Sequence, residues 1–128
     1  MTEKRFSLSK KERLSWKRYI ELLFEKGQSF IAFPLRIVFY VTEEDLPAES
    51  SILISVAKKR FKRAVKRNKI KRQIREAYRV QKNNLKLSTE DNKKNILIAF
   101  IYVDKEIHEH SLIEKAVAKA IKRLNNNI

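Results

Sequence analysis

Asn68, Arg72, Arg75 and Arg79 recur at intervals of four, three and four residues within AVKRNKIKRQIREAYR, residues 64–79. On a helix turning 100° per residue, all four fall on one side. Guanidinium forks in a row suit bidentate contact with phosphate, and Asn68 adds a short side chain that both donates and accepts. Seven of the sixteen residues are Lys or Arg, and only Glu76 is acidic. An ordinary solvated helix face gains from opposite charges at i,i+4; this one sets like charges there instead. Lys69 and Lys71 flank the row. Arg67 falls nearer the other side but, in the first turn, can reach past the helix end. Upstream, AKKRFKR (57–63) adds Lys58, Lys59, Arg60, Lys62 and Arg63. Residues 58–82 hold thirteen of the thirty basic residues and one acid, while the remaining seventeen face fourteen acids. The net charge of +15 is therefore mainly a local feature, suited to a polyanion.

The row needs something to hold it. Ile70, Ile74, Ala77 and Gln81, with Tyr78 nearby, lie on the opposite side of the same helix, which is amphipathic with one core face and one cationic face. That arrangement disfavours a membrane-surface role, because the apolar side lies away from the charges and is needed for the core. Ahead of the helix, LRIVFYV (35–41) and SILISVA (51–57) read as strands, separated by an acidic, proline-containing turn at 42–50. Leu35, Ile37, Phe39 and Val41 share one face of the first; Arg36, Val38 and Tyr40 share the other. After the helix, a polar loop (83–95) leads to ILIAFIYV (96–103), apolar on both faces and so expected at the centre of a sheet. The strands flanking the basic helix are expected to be parallel, with the helix as crossover.

Two further helices frame this unit. In residues 9–26, Ser9 and Glu12 have capping-box spacing. Trp16, Tyr19, Ile20 and Leu23 fall on one face with Phe24 at its edge, and Trp16, Tyr19 and Phe24 are expected in the core; Gly27 suits the stop. Residues 112–124 carry the stripe Leu112, Ile113, Ala116, Val117, Ala120, Ile121 and Leu124, with Ser111 and Glu114 as cap and a fraying NNNI tail. The sum is an α+β fold, a two-layer α/β sandwich, in a single domain spanning residues 1–128.

Other chemistries find little support. There is no cysteine, and with one glycine no Gly-rich phosphate loop can be built. The longest apolar run is eight residues and the N-terminus lacks a signal-peptide core, so a cytoplasmic protein is expected. Asp104, Glu106, His108, Glu109 and His110 form a polar strand-to-helix turn without fixed metal-ligand spacing; no metal site and no catalytic residue is expected in this chain. Asp91 and the Glu43–Glu44–Asp45 run fall in loops, giving no paired-carboxylate site. A helix embedded between strands fits structured RNA better than the major groove of DNA.

AVKRNKIKRQIREAYR closely resembles the arginine-rich signature of the bacterial ribonuclease P protein component, through Ala64, Val65, Arg67, Asn68, Ile70, Lys71, Arg72, Ile74, Arg75 and Arg79. SVAKK (55–59) resembles the family's strand-to-helix entrance, and LFEKGQSF (23–30) extends the likeness more weakly. The resemblance implies three helices on a roughly four-stranded sheet, a short extra strand near Phe30 or Ile31, and a left-handed β-α-β crossover where the general rule favours the right-handed one. It implies a protein subunit that assists a catalytic RNA in removing the 5′ leader from precursor tRNA, with Mg²⁺ held mainly by the RNA. The expected partners are that RNA and precursor tRNA, without a membrane or an obligate protein partner. Lys58, Lys59, Arg60, Arg63, Arg67, Asn68, Lys71, Arg72, Arg75 and Arg79 are then expected to contact RNA. Ile20, Phe24, Arg36, Val38 and Tyr40 are expected to line a cleft for the single-stranded leader, with Ile20 and Val38 standing where relatives often carry aromatics. Composition alone leaves open a non-catalytic structured-RNA-binding protein of ribosomal or chaperone type.

Overall fold

Alternation of apolar side chains along three β-branched segments, and 3.6-residue periodicity between them, produce two helical layers around one sheet. A computed structural model of the chain describes residues 10–42, 50–85 and 95–127. Helix α1 (Lys10–Lys26) is followed by β1 (Gln28–Ala32), β2 (Leu35–Thr42), β3 (Ser50–Val56), α2 (Ala64–Gln81), β4 (Asn95–Tyr102) and α3 (His110–Asn127), with a single 3₁₀ turn at Lys82–Asn84. The sheet order is β1-β2-β4-β3. β1–β2 and β2–β4 are antiparallel, and β3–β4, the pair that α2 connects, is parallel. β4 is interior, as its two-sided apolar pattern required.

One face of the sheet carries Leu35, Ile37, Phe39, Ile96, Ile98, Phe100 and Tyr102, buried beneath Ile70, Ile74, Ala77 and Tyr78 of α2 and Ile113, Ala116, Val117, Ala120, Ile121 and Leu124 of α3. Tyr78 stacks obliquely on Phe100 with ring centroids 5.6 Å apart, and Phe61 meets Tyr102 edge-on at 5.9 Å. The other face carries Val38, Leu97 and Ala99 and buries Leu23 of α1. α2 and α3 thus lie side by side on one layer and α1 alone on the other. Gln73 and Gln81 of α2 tie the two neighbours together, donating to the carbonyls of His108 and Glu114 at 3.2 and 3.1 Å.

Several expectations need correction. β1 is the short extra strand that the family resemblance implies near Phe30 or Ile31; other features differ. Phe24 does not join the core: it is 49% exposed. α3 begins at His110, so Ser111 is helical and is not its cap. The amides of Leu112 and Ile113 donate to the Glu109 carbonyl at 3.1 and 3.4 Å, setting the first turn two residues earlier. The helix also continues through Asn127, so the three asparagines of the tail are helical here. α1 ends at Gly27 as expected, but by space and not by handedness, since no glycine has positive φ. A Cβ at Gly27 would lie 2.3 Å from the Leu23 carbonyl oxygen and 2.9 Å from that of Phe39. The Ser9 cap, the acidic run 43–45, Asp91 and the side chain of Trp16 lie outside the described residues.

The turn between β4 and α3 is held by its own side chains. Tyr102 donates from its hydroxyl to the Glu106 carbonyl at 2.5 Å, and His108 Nε2 meets Asp104 Oδ2. The hydrogen bond from His108 holds the Asp104 carboxyl below its usual range. Burial, reinforced by the Asp104 charge, pushes the Tyr102 phenol from 10 up to about 12. A raised phenol value means that folding favours the neutral form. That contribution is complete below pH 10 and is lost as pH rises through 12. Thermal unfolding should therefore show a fall in stability across pH 10–12 that Tyr102→Phe flattens.

Candidate RNA-binding surfaces

The basic row is a product of α2's attachment. Ile70, Ile74 and Ala77 are completely buried, which fixes the rotation of the helix about its axis. Asn68, Arg72, Arg75 and Arg79 are consequently all exposed on the outward side, and Lys71 is half-buried beside them. Val65, 78% exposed, stands one turn before Asn68 and Lys69 and adds an apolar contact to the same surface. The start of α2 is unusual electrostatically. Its N-cap is Arg63, which makes no side-chain cap, and the first turn holds no acid. A helix N-terminus favours negative charge, so cations crowded there leave an anion-seeking end.

The expected RNA contacts are not equivalent. Lys58 and Lys59 sit in an exposed turn at the entrance to α2, with Arg63 exposed at the cap. Arg60 donates from Nη1 to the Val103 carbonyl at 3.2 Å, tying that turn to the end of β4. Arg67 is half-buried and donates from Nη1 to the carbonyls of Phe61 and Lys62 at 2.7 and 3.0 Å. It therefore folds back on the chain entrance instead of reaching out past it, and its main contribution is to hold that entrance in place. Arg79 forms a two-point ion pair with Glu76, through Nε at 3.1 Å and Nη2 at 2.5 Å. This hydrogen bond lowers the Glu76 carboxyl and raises the Arg79 guanidinium. Both side chains are exposed, so the pair is weak and can yield to a phosphate.

The opposite face of the sheet presents a different surface. Val38 is buried to 5% under α1, among Leu23, Leu97 and Ala99, and is packing rather than lining. Tyr40 is half-buried beside a depression of about 170 Å³ formed with Lys26, Gln28, Phe39 and Val41. Ile20 is half-buried, whereas Phe24 and Arg36 are exposed. Strand register places Ile31, Arg36 and Ile101 in one row across β1, β2 and β4. Ile31 is 60% exposed. Ile31 and Ile101 belong to this open row and were missed from sequence; Ile31 alternates with buried Phe30 and Ala32, a signal carried by only three residues.

Among the described residues, no three His, Cys, Asp or Glu side chains converge to hold a metal ion, and no helix is long and apolar enough to cross a membrane.

Comparison with known proteins agrees with this geometry. A family model described as Ribonuclease P matches residues 8–125. The chain belongs to the ribonuclease P protein family. It is 42% identical to the ribonuclease P protein component of Porphyromonas gingivalis over 123 residues, covering 96% of this chain and 90% of that one. The corresponding protein of Chlorobium phaeobacteroides is 38% identical over 82 residues, covering 62% of this chain and 56% of that one. The ribonuclease P protein of Thermotoga maritima has a similar structure, with a TM-score of 0.67 and 25% identity over 84% of this chain and 92% of that one. That of Staphylococcus aureus gives 0.62 and 25% over 83% and 88%. Membership of the ribonuclease P family makes the chain part of a ribonuclease complex, with ribonuclease P RNA as partner.

Proposed function

We propose that the chain assists a catalytic ribonuclease P RNA in the endonucleolytic removal of the 5′ leader from precursor tRNA. The RNA supplies the catalytic groups and holds Mg²⁺; the protein positions RNA on both sides of its sheet. The observation that carries this reading is the exposed Asn68–Arg72–Arg75–Arg79 row, rigidly mounted on α2 and opposed by one acid. Family membership favours it over a ribosomal or chaperone-type RNA-binding protein, and the subunit is placed in the cytoplasm without an obligate protein partner. Reconstitution tests the reading. At low Mg²⁺ the purified protein should allow its cognate RNA to cleave precursor tRNA; an RNA whose cleavage is the same with and without protein would overturn it.

On the α1 side, Phe24, Tyr40 and Arg36 are the residues placed to hold an unpaired leader. An aromatic stack on one base contributes about 1–3 kcal/mol. Phe24→Ala and Tyr40→Ala should each weaken affinity for precursor tRNA by about 5-fold or more and leave affinity for mature tRNA unchanged. Equal losses on both RNAs would remove leader contact from the reading. Val38→Ala should act instead through stability, since the side chain is already covered.

A further inference from the structure

The outward side of α3 repeats the arrangement of α2. Lys115, Lys119 and Lys122 are exposed and recur at intervals of four and three, opposite the buried stripe Ile113, Val117, Ala120 and Leu124. Positions three and four away from each lysine are Lys, Arg, Ala, Ser, Leu or Asn, never an acid. Glu114 is the one acid in the helix, and it lies near His110, 3.9 Å from its Nε2, at the α2 side. Among the described residues none of the three lysines has an acidic partner. The helix dipole accounts for none of the three, because α3 has no base in its last turn, where cations are favoured, and the effect fades within one turn of each end.

α2 and α3 are neighbours in one layer, so their cationic rows face the same solvent side, with packed axes about 8–10 Å apart. Between them lies a groove of about 230 Å³ lined by Lys69, Arg72, Gln73, Glu76 and His110. Lys69 and Arg72 line its α2 side with Glu76, and His110 marks its α3 side, beyond which the exposed lysines of α3 stand. Two rows on adjacent helices fit the two phosphate backbones that flank the wide, shallow minor groove of an A-form segment.

We propose that Lys115, Lys119 and Lys122 form a second phosphate-contacting row, and that the chain grips a double-helical RNA segment across α2 and α3 together. The proposal rests on α2 being an RNA-binding helix, and the test separates the two. Binding is measured between about 50 and 200 mM salt for three variants: K115Q/K119Q/K122Q, R72Q/R75Q, and the charge-matched K17Q/R18Q/K105Q, whose cations are exposed elsewhere. One arm uses ribonuclease P RNA; the other uses precursor tRNA added to assembled holoenzyme. Each lost phosphate contact lowers the slope of log K against log salt by about 0.7–0.9. The α3 variant should lose about 2–3 from the slope in one arm, and that arm identifies which RNA supplies the duplex. An α3 variant matching the charge-matched control in both arms overturns the proposal. An R72Q/R75Q variant matching the control would instead overturn the reading of α2. Circular dichroism and thermal unfolding of the α3 variant should match those of the parent chain.

Discussion

Arg72→Ala combined with Arg75→Ala should weaken binding to ribonuclease P RNA about 100-fold or more near physiological salt. Each guanidinium offers charge-assisted hydrogen bonds worth about 1.5–3 kcal/mol, so losing two removes about 3–6 kcal/mol of interaction. Their exposure makes the effect separable from folding, because nothing in the core touches them. The unfolding midpoint should stay within about 2 °C of the parent, surface substitutions of this kind amounting to about 0.5 kcal/mol or less. The salt slope should fall by about 2. A variant that binds as tightly as the parent would reduce the row to a solvated helix face. Arg67→Ala should behave differently: its two bonds to the Phe61 and Lys62 carbonyls make it a stability residue first, and its midpoint should drop even without RNA.

The second large effect concerns the mounting of that row. Ile74 is completely buried where α2 meets the sheet, and Ile74→Ala should cost about 2–5 kcal/mol. Against a total stability of about 5–15 kcal/mol, that is a major fraction, and the midpoint in urea should fall with little change in slope. RNA that binds only the folded chain should raise the variant's midpoint by mass action, and more RNA should raise it further. If the variant keeps the parent's stability, α2 is not held by the contacts described.

Much of this was legible in the sequence because it depends on period. The two faces of α2, the parallel β3–β4 pair and the central place of β4 follow from spacings of 3.6 and 2. What spacing does not encode is reach. The wheel placed Arg67 near the core side, but it could not show the guanidinium turning back onto two carbonyls. Phe24 sits at the edge of an apolar face, where spacing does not decide burial; Leu23 takes the place against the sheet and Phe24 looks outward. β1 is five residues long with one outward-facing isoleucine, too little to separate an edge strand from a loop. The α3 row was hidden by arithmetic. Counting seventeen bases against fourteen acids treats the remaining chain as mixed, yet α3 holds only one acid. Charge segregates by element, so it has to be counted by element.

β4 has a wider consequence. Its even-numbered residues Ile96, Ile98 and Phe100 belong to the core under α2 and α3, and its odd-numbered Leu97 and Ala99 belong to the packing under α1. The sheet and the α2 layer packed on it thus divide the surface carrying Arg72 and Arg75 from the one carrying Phe24 and Tyr40. On the proposed reading, two RNA segments held there share no side chain. The molecule would then be a spacer with two working sides, whose thickness sets the distance between what it touches. Free-energy losses from substitutions on opposite sides should sum, so a cycle combining Arg72→Ala with Phe24→Ala should show coupling within about 0.5 kcal/mol of zero.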